Sequence, residues 1–586
     1  MSNIYRTHTC GELSKKEVGS DVTLSGWVHR KRDHGGLLFV DLRDNYGITQ
    51  CVFDLGDKGL SEIEKVHPES VIRVKGAVIK RDDDQINSKI PTGEVEVKVA
   101  SFDVLTHADI LPVQVFGDED TAEELRFKYR FLDLRRETLH KNISVRNKVV
   151  KFIRDKMWEL GFSEFQTPIL TVSSPEGARD FLVPSRIHHG MFYALPQSPQ
   201  QFKQLLQVAG FDRYFQIAPC FRDEDSRSDR LLEHYQLDFE MSFVEASDIQ
   251  AVGNAVITSV LRAFIPNAKV SDDIPHISYG DAMLKYGTDK PDLRNPILIG
   301  DVGEVFRGSD FGVFADLVER GAVVRAIPAP NTANKPRGWF DKNEEFATTE
   351  LGLAGLGYIV FAEEGPKGPV AKKLDSARIS KIKEISGLKN GDSVFFVCEK
   401  ENIAAKAAGK LRARFGKDLG LIDDNEYRMC WVEDFPMFEL NEETGKIDFG
   451  HNPFTMPKSD LSGDPLKIAA NQFDCVMNGM ELCSGALRNY NPETMLEVFA
   501  IAGYGEDEVK AKFGGMWNAF QYGAPPHGGC GFGIDRIVMI VLKEPSMREI
   551  VAFPMNQRGQ DLMMGAPGEV SENQLREAHI QVRKRG

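Results

Sequence analysis

From Tyr235 to Phe243 apolar and polar side chains alternate without a break, and no other stretch limits the fold so tightly. A period of two belongs to a strand with one apolar face. It sets Tyr235, Leu237, Phe239, Met241 and Phe243 on one side and Gln236, Asp238 and Glu240 on the other. Upstream, the apolar residues Tyr214, Phe215, Ile217 and Phe221 run into Arg222-Asp223-Glu224, and the charged stretch from Asp225 to Arg230 reads as a loop tip. The pattern predicts a strand-loop-strand hairpin. A solvated sheet face would also alternate, and for an isolated strand that is the commoner case. Arg222 tips the balance. A guanidinium one residue past an apolar run is placed to hold a carboxylate or phosphate bidentately, beside acids that could bind an amine or a metal.

Far downstream, Gly529, Gly531 and Gly533 alternate with other residues and lead through Asp535-Arg536 into the apolar run Ile537 to Leu542. Alternate glycines let a backbone pass close to a neighbour, and the run after them reads as a buried helix or strand. A dinucleotide-binding loop would need a preceding strand, a following helix and an acid about 20 residues on. Here the glycines follow the turn-like Ala524-Pro525-Pro526-His527, so that reading is weak.

The first hundred residues hold five short β-like runs: 22–28, 37–42, 48–53, 71–79 and 94–99. Five strands in that length suit a small barrel of the OB type, which often binds single-stranded nucleic acid. The basic turn His29-Arg30-Lys31-Arg32 lies beside Trp27 and Phe39. Four basic residues are usually only a solvated turn, but next to aromatics they fit a phosphate-tracking groove with a stacking platform. Trp27 reads as core.

Bulk properties narrow the class. A chain of 586 residues has room for several cores. A net charge of -15 argues against a protein that coats nucleic acid, leaving only local basic patches for that work. Eight scattered cysteines, with no Cys-x-x-Cys pair, read as reduced thiols of a cytoplasmic protein without a zinc site. The N-terminus lacks the apolar core of a signal peptide, and no run is long enough to span a membrane.

Gly-x-Gly-x-Gly-x-Asp-Arg near the C-terminus, with the Arg-Asp-Glu hairpin before it, resembles motifs 3 and 2 of the class II aminoacyl-tRNA synthetases. The helical pattern from Val145 to Leu160, stopped by Gly161 and followed by the extended Phe162 to Pro168, is similar to motif 1, which in that family forms the dimer interface. Gly-Trp-Val-x-Arg-x-Arg-Asp with Phe-Val-Asp-Leu-Arg-Asp resembles the anticodon-binding domain of the aspartate, asparagine and lysine synthetases. The resemblance implies an α/β (α+β) multidomain chain: an OB-type barrel, then a catalytic domain on a mixed, mainly antiparallel sheet with flanking helices. Residues 291–420 resemble the α+β insertion of the bacterial aspartyl enzymes. The implied division is 1–108 barrel, 109–138 hinge, 139–290 and 421–586 the two catalytic parts, with the insertion between them.

By the same resemblance, Glu176, Gln200, Lys203, Arg222, Asp238, His451 and Arg488 would bind L-aspartate. Glu176 and Asp238 would meet its ammonium, and Lys203 and Arg488 its side-chain carboxylate. Arg222 and Arg536 would be catalytic, and ATP would meet Arg222, Asp223, Glu224, Glu481, Gly533, Ile534, Asp535 and Arg536. Asp474 and Glu481 would hold Mg²⁺. Arg32, Phe39 and Gln50 would read the anticodon. His34 and Asp84 stand where enzymes restricted to tRNA(Asp) carry Leu and Lys, which implies the relaxed type that also charges tRNA(Asn). A strictly tRNA(Asp)-specific enzyme is the alternative within the family. A synthetase-like paralogue that binds RNA without charging it is the alternative outside it. The implied assembly is a homodimer. Two departures stand out: Leu231 replaces the usual Gln of the hairpin loop, and Cys483 to Tyr490 has fewer glycines than the usual Gly-Gly-Gly-Ser-x-Arg-Ile-His.

Overall fold

The computed structural model describes residues 3–117, 121–173, 178–441 and 444–583. The chain divides into two compact units, one of residues 1–140 with 562–564 and one of 141–561 with 565–586.

In the first unit, β1 (Asp21–Asp33), β2 (Leu37–Arg43), β3 (Ile48–Asp54), β4 (Val71–Lys80) and β5 (Val95–Thr106) close a barrel in the order β1-β2-β3-β5-β4. Val22, Leu24, Val40, Leu42, Ile72, Val74 and Val97 point inward. Small barrels are filled by such side chains, which leaves the recognition work to the outer surface and loops. The stretch expected to be a hinge contains two short helices, Glu123–Lys128 and Arg130–Asp133. They are pinned by the buried Asp133, which accepts hydrogen bonds from Arg126 at 3.1 Å and Arg130 at 2.7 Å.

The second unit is built on an eight-stranded sheet. Its strands are β6 (Ser163–Glu164), β7 (Arg213–Phe221), β8 (Glu233–Ser242), β9 (His276–Ser278), β10 (Met429–Glu433), β11 (Gln472–Met477), β12 (Met480–Leu487) and β13 (His527–Gly533). They lie in the order β9-β10-β11-β12-β13-β8-β7-β6. The central strands pair antiparallel, and only the two edge pairs are parallel.

Three helices cover one face: α1 (Glu137–Glu159), α3 (Ala246–Phe264) and α4 (Ile534–Leu542); α2 (Gln200–Val208) packs near β8 on its polar side. Ile153 and Met157 of α1, Val256 and Val260 of α3, and Val538 of α4 meet Leu237, Phe239 and Met241 of β8 in one core. Each such side chain contributes about 1.5–3 kcal/mol by leaving water.

The alternation in β8 is observed from Gln236 to Met241, and its ends differ from expectation. Tyr235 is 38% exposed, and Phe243 is 72% exposed at a φ of 57°, beyond the last strand residue Ser242. The chain swings out there because the Phe243 N–H donates to Pro526 O at 2.7 Å instead of continuing the ladder. The opposite face is buried too: Gln236, Asp238 and Glu240 lie within the protein.

The inserted segment has its own five-stranded sheet, in the order Gly300–Asp301, Val323–Ala329, Ser393–Glu399, Gly357–Ala362, Gly365–Lys367. Phe395 packs into one core with Phe340 and Phe415, and Phe396 into another with Phe306 and Ile359. A strand buried on both faces reads as an unbroken apolar run, as Val394 to Val397 does. Among the described residues no helix is long and apolar enough to cross a membrane.

Candidate active site

The polar faces of β8, β11, β12 and β13 floor a cleft of about 690 Å³. At its deep end four charged side chains are packed together. Lys203, on α2, donates from Nζ to Asp238 Oδ2 at 3.0 Å and lies 3.2 Å from Glu240 Oε2. Arg488, just past β12, donates from Nε to Glu240 Oε1 at 2.7 Å and from Nη2 to Gly529 O at 3.1 Å. All four are buried, and their formal charges cancel. Burial and Glu240 push the Asp238 carboxyl up to about 6 despite Lys203, while Arg488 and Lys203 hold Glu240 below its ordinary range against burial. Asp238 Oδ1 and Gln200 Nε2 have no partner, although Gln200 Oε1 accepts from Asn452 Nδ2 at 3.0 Å. A buried polar atom without a partner costs free energy until a ligand satisfies it.

β13 runs beside β8 with Gly529 directly opposite Glu240, and there is no room for a side chain there. A Cβ there would stand 2.6 Å from Glu240 Oε2.

The middle of the cleft is cationic. Arg222 leaves β7 with a buried Nε that has no partner, and Arg230 pairs with Glu224 across the loop. Arg536, at the start of α4, donates to Glu481 O at 2.7 Å. His234 lies among these arginines. Burial, with Arg222, Arg536 and Arg230, drives its imidazole down to about 3, so it stands neutral beside three guanidinium groups that can meet an anion. Arg146 and Asp535 form an ion pair under α4.

Beyond this lie two carboxylates on adjacent strands. Asp474 of β11 is buried with Oδ1 unpartnered, and burial together with Glu481 of β12 pushes its carboxyl up to about 8. Lys290 Nζ lies 3.3 Å from Glu481 Oε2. Burial opposes the Lys290 ammonium, yet Glu481 and Asp289 raise it above its ordinary value. A buried carboxyl with a free oxygen beside a second carboxylate fits a hard divalent cation, which takes oxygen ligands. Among the described residues no group of three or more His, Cys, Asp or Glu side chains gathers as a metal cage. A magnesium ion, which keeps few protein ligands and shares its shell with phosphates, does not require one.

Most residues singled out from the sequence line this one cleft. Gln200, Lys203, Asp238 and Arg488 surround the deep end; Arg222, Glu224, Arg536, Asp535 and Gly533 line the middle; Asp474 and Glu481 follow, with His451 near Lys290 and Glu481. His451 sets its ring edge-on to Phe435 at 5.0 Å. Two expected ATP contacts do not line it. Asp223 bridges through its backbone to Arg179, and the Ile534 side chain is buried in the main core. Glu176 lies outside the described residues. Leu231 turns its apolar side chain into the core beneath the cleft instead of offering an amide. Sequence reasoning assigned nothing to Glu240, His234 or Lys290. Glu240 was visible as a member of the polar face of β8; the other two carry no local signal.

On the barrel, Arg32 donates from Nη2 to Asp41 at 2.8 Å and to Gln50 Oε1 at 2.9 Å, and Gln50 Nε2 donates to Glu96 at 2.7 Å. Phe39 is partly exposed beside them, with the His34 ring edge-on at 5.2 Å. Trp27 is covered by the guanidinium groups of Arg43 and Arg135 at 6.0 and 5.1 Å, which leaves Phe39 as the open aromatic face of the pair. Asp84 is exposed in a short 3₁₀ turn.

The family model for class II tRNA synthetases (D, K and N) matches residues 122–557, and that for the OB-fold nucleic acid binding domain matches 22–105. The chain is 57% identical over 586 residues to the aspartate–tRNA(Asp/Asn) ligase of Paramagnetospirillum magneticum, covering 99% of this chain and 67% of that one. It is 57% identical over 584 residues to the ligase of the same name from Acidiphilium cryptum, covering 99% and 98%. Among solved structures it is similar to the asparaginyl-tRNA synthetase of Pyrococcus horikoshii complexed with asparaginyl-adenylate, with a TM-score of 0.57 at 18% identity, over 93% of this chain and 97% of that one. A putative aspartyl-tRNA synthetase from Leishmania major gives a TM-score of 0.57 at 18% identity, over 94% of each. At such identities the solved structures speak for the fold alone.

Proposed function

The chain belongs to the class II tRNA synthetases of the D, K and N group, and on that premise we propose that it is an aspartate–tRNA ligase acting on tRNA(Asp) and tRNA(Asn). The observation that carries the choice of amino acid is the buried set of Lys203, Asp238, Glu240 and Arg488. Asp238, through its free oxygen, and Gln200, through Oε1, receive the substrate ammonium, together with Glu176. Lys203 and Arg488 meet the side-chain carboxylate, and Glu240 holds both cations in place beforehand. Once the substrate ammonium engages Asp238, the two cations share Glu240 alone, so an uncharged side chain would leave them short of a partner; a site built on polar partners discriminates by about 10⁴–10⁵.

The α-carboxylate of aspartate attacks the α-phosphorus of ATP in line. The bond from that phosphorus to the bridging oxygen breaks, giving aspartyl-adenylate and pyrophosphate. No side chain forms a covalent bond, so catalysis is positioning and charge neutralisation. Arg222 holds the reacting carboxylate and α-phosphate, Arg536 the terminal phosphate, and Glu224 the adenine side. Gly533, Ile534 and Asp535 complete the nucleotide seat, Ile534 through its backbone, while Asp223, its backbone tied to Arg179, flanks it. His451 lies over the bound pair. Asp474 and Glu481 would hold Mg²⁺, which offsets phosphate charge when bound. The terminal ribose hydroxyl of the tRNA then attacks the adenylate carbonyl, and AMP leaves.

On the barrel, Phe39 stacks on an anticodon base while Arg32 and Gln50 supply hydrogen bonds. His34 and Asp84, where restricted enzymes carry Leu and Lys, support the relaxed reading, as does the likeness to ligases named for both tRNA(Asp) and tRNA(Asn). The boundaries 1–108, 109–138, 139–290, 291–420 and 421–586 describe the proposed working parts. Exposed Trp158, Ile169, Leu170 and Val172 next to α1 and β6 support a homodimer, since such apolar surface favours a symmetric partner. Eight free thiols support a reducing, cytoplasmic setting. Aminoacylation of purified tRNA(Asp) and tRNA(Asn) tests the pair of substrates: both should accept aspartate. Charging of tRNA(Asp) alone, at any enzyme level, would remove the relaxed reading and leave the strict one.

A further inference from the structure

Lys290 is a cation in the cleft that no sequence pattern picks out. Its Nζ lies 2.5 Å from Asp289 Oδ2 and 3.3 Å from Glu481 Oε2, while Arg536 Nη1 approaches the other oxygen of the same carboxylate at 3.4 Å. Glu481 is therefore held between two cations, next to the unpartnered oxygen of Asp474.

The backbone that carries Lys290 is clamped by one element of the inserted segment, the helix Glu401–Asp418. Upstream of Lys290, Gly287 and Gly409 let the loop lie main chain against the helix. A Cβ on Gly409 would stand 2.5 Å from the Gly287 carbonyl oxygen. Downstream, the buried Arg412 donates to Ile297 O at 2.6 Å, Asn295 O at 2.7 Å and Asp292 O at 2.9 Å. Asn295 Nδ2 in turn donates to Arg412 O at 2.9 Å. The loop is fastened on both sides of Lys290. An ordinary surface lysine would need no such anchorage.

We propose that Lys290 is the resident counter-ion of Glu481 beside Asp474, seated by the inserted helix, and that a divalent cation enters between the two acids by displacing it. The proposal rests on the reading of those two acids as the metal pair. A tethered ammonium competes at high effective concentration, so the nucleotide-free protein binds the metal weakly. The triphosphate relieves that competition twice. It brings the metal further oxygen ligands, and it gives the freed ammonium another anion to meet. Metal and nucleotide thus arrive together, and the insertion acts on the cleft through one positioning residue, with no reactive group of its own.

The test is Mn²⁺ titration of the full-length, nucleotide-free protein, read as loss of the free-ion electron paramagnetic resonance signal. Removing a partly exposed competing cation in Lys290→Met should tighten Mn²⁺ binding about 5-fold or more, whereas Lys290→Arg should stay near wild type. Glu481→Gln should weaken Mn²⁺ binding severely. Arg412→Met, which unfastens the loop far from the metal, should shift the affinity in the same direction as Lys290→Met by a smaller factor. If Glu481→Gln weakens binding but Lys290→Met leaves it unchanged or weaker, the counter-ion role is overturned. An unchanged affinity in Arg412→Met would remove the helix from the account. If Glu481→Gln binds Mn²⁺ as the wild type does, it is the metal-pair reading that fails.

Discussion

Lys203, Asp238, Glu240 and Arg488 remain charged out of water because each faces an opposite charge at 2.7–3.2 Å. Replacing Lys203 by Met keeps the length of the side chain and strands two carboxylates beside one arginine. The expected loss is about 3–5 kcal/mol of stability in urea unfolding, because an uncompensated buried charge remains. Asp238 sets a pH dependence. Its carboxyl is pushed up to about 6, so below that pH it carries a proton and cannot pair with the substrate ammonium. With magnesium and ATP saturating, kcat/KM for aspartate should therefore level off above about pH 7 and approach a tenfold fall per unit well below pH 6. A profile with no inflection between pH 5 and 7 would exclude Asp238 as the ammonium partner. At this scale the end of an apolar run pointed to Arg222 and the period of two set Asp238 on the polar face, while Arg488 was reached only through the family resemblance. It could not disclose that Arg488 pairs with Glu240, 248 residues away, since no local period encodes that contact. Lys290 was hidden for the same reason. Its place depends on a helix that the chain forms more than a hundred residues later.

At the scale of elements, β8 and β13 must pass close enough for their carboxylates and glycines to share one layer. Gly529→Ala would drive a methyl group to 2.6 Å from Glu240 Oε2 and force the strands apart. Overpacking of this kind costs about 1–3 kcal/mol. The melting temperature should fall, and aspartate activation should fall more steeply than stability because Arg488 bonds to the Gly529 carbonyl. An unaltered melting temperature and rate would contradict the packing described. The alternation in β8 foretold its two faces correctly but not its ends. Period alone says nothing about where a strand stops, and the Phe243 N–H is diverted to Pro526, 283 positions downstream. The five barrel runs were legible from their own apolar patterns, although two of the connections, 55–70 and 81–94, are long and the first buries Leu60 and Ile63. The expected hinge was not seen to fold, because its order comes from arginines gathered on the single buried Asp133.

In the whole molecule the proposed function divides two tasks between two units: the barrel recognises RNA and the larger unit activates the amino acid. Phe39→Ala should lower the efficiency of tRNA charging by about 5- to 150-fold, the worth of one stacked base at ~1–3 kcal/mol. It should leave tRNA-independent activation of aspartate unchanged. An equal loss in both reactions would mean that Phe39 supports the fold and not the RNA. The central claim is that the buried charge network selects aspartate. ATP–pyrophosphate exchange, measured with each amino acid in turn, tests it most directly. Aspartate should support exchange, with asparagine poorer by about 10⁴ and lysine inactive; exchange driven by asparagine or lysine but not by aspartate would contradict it.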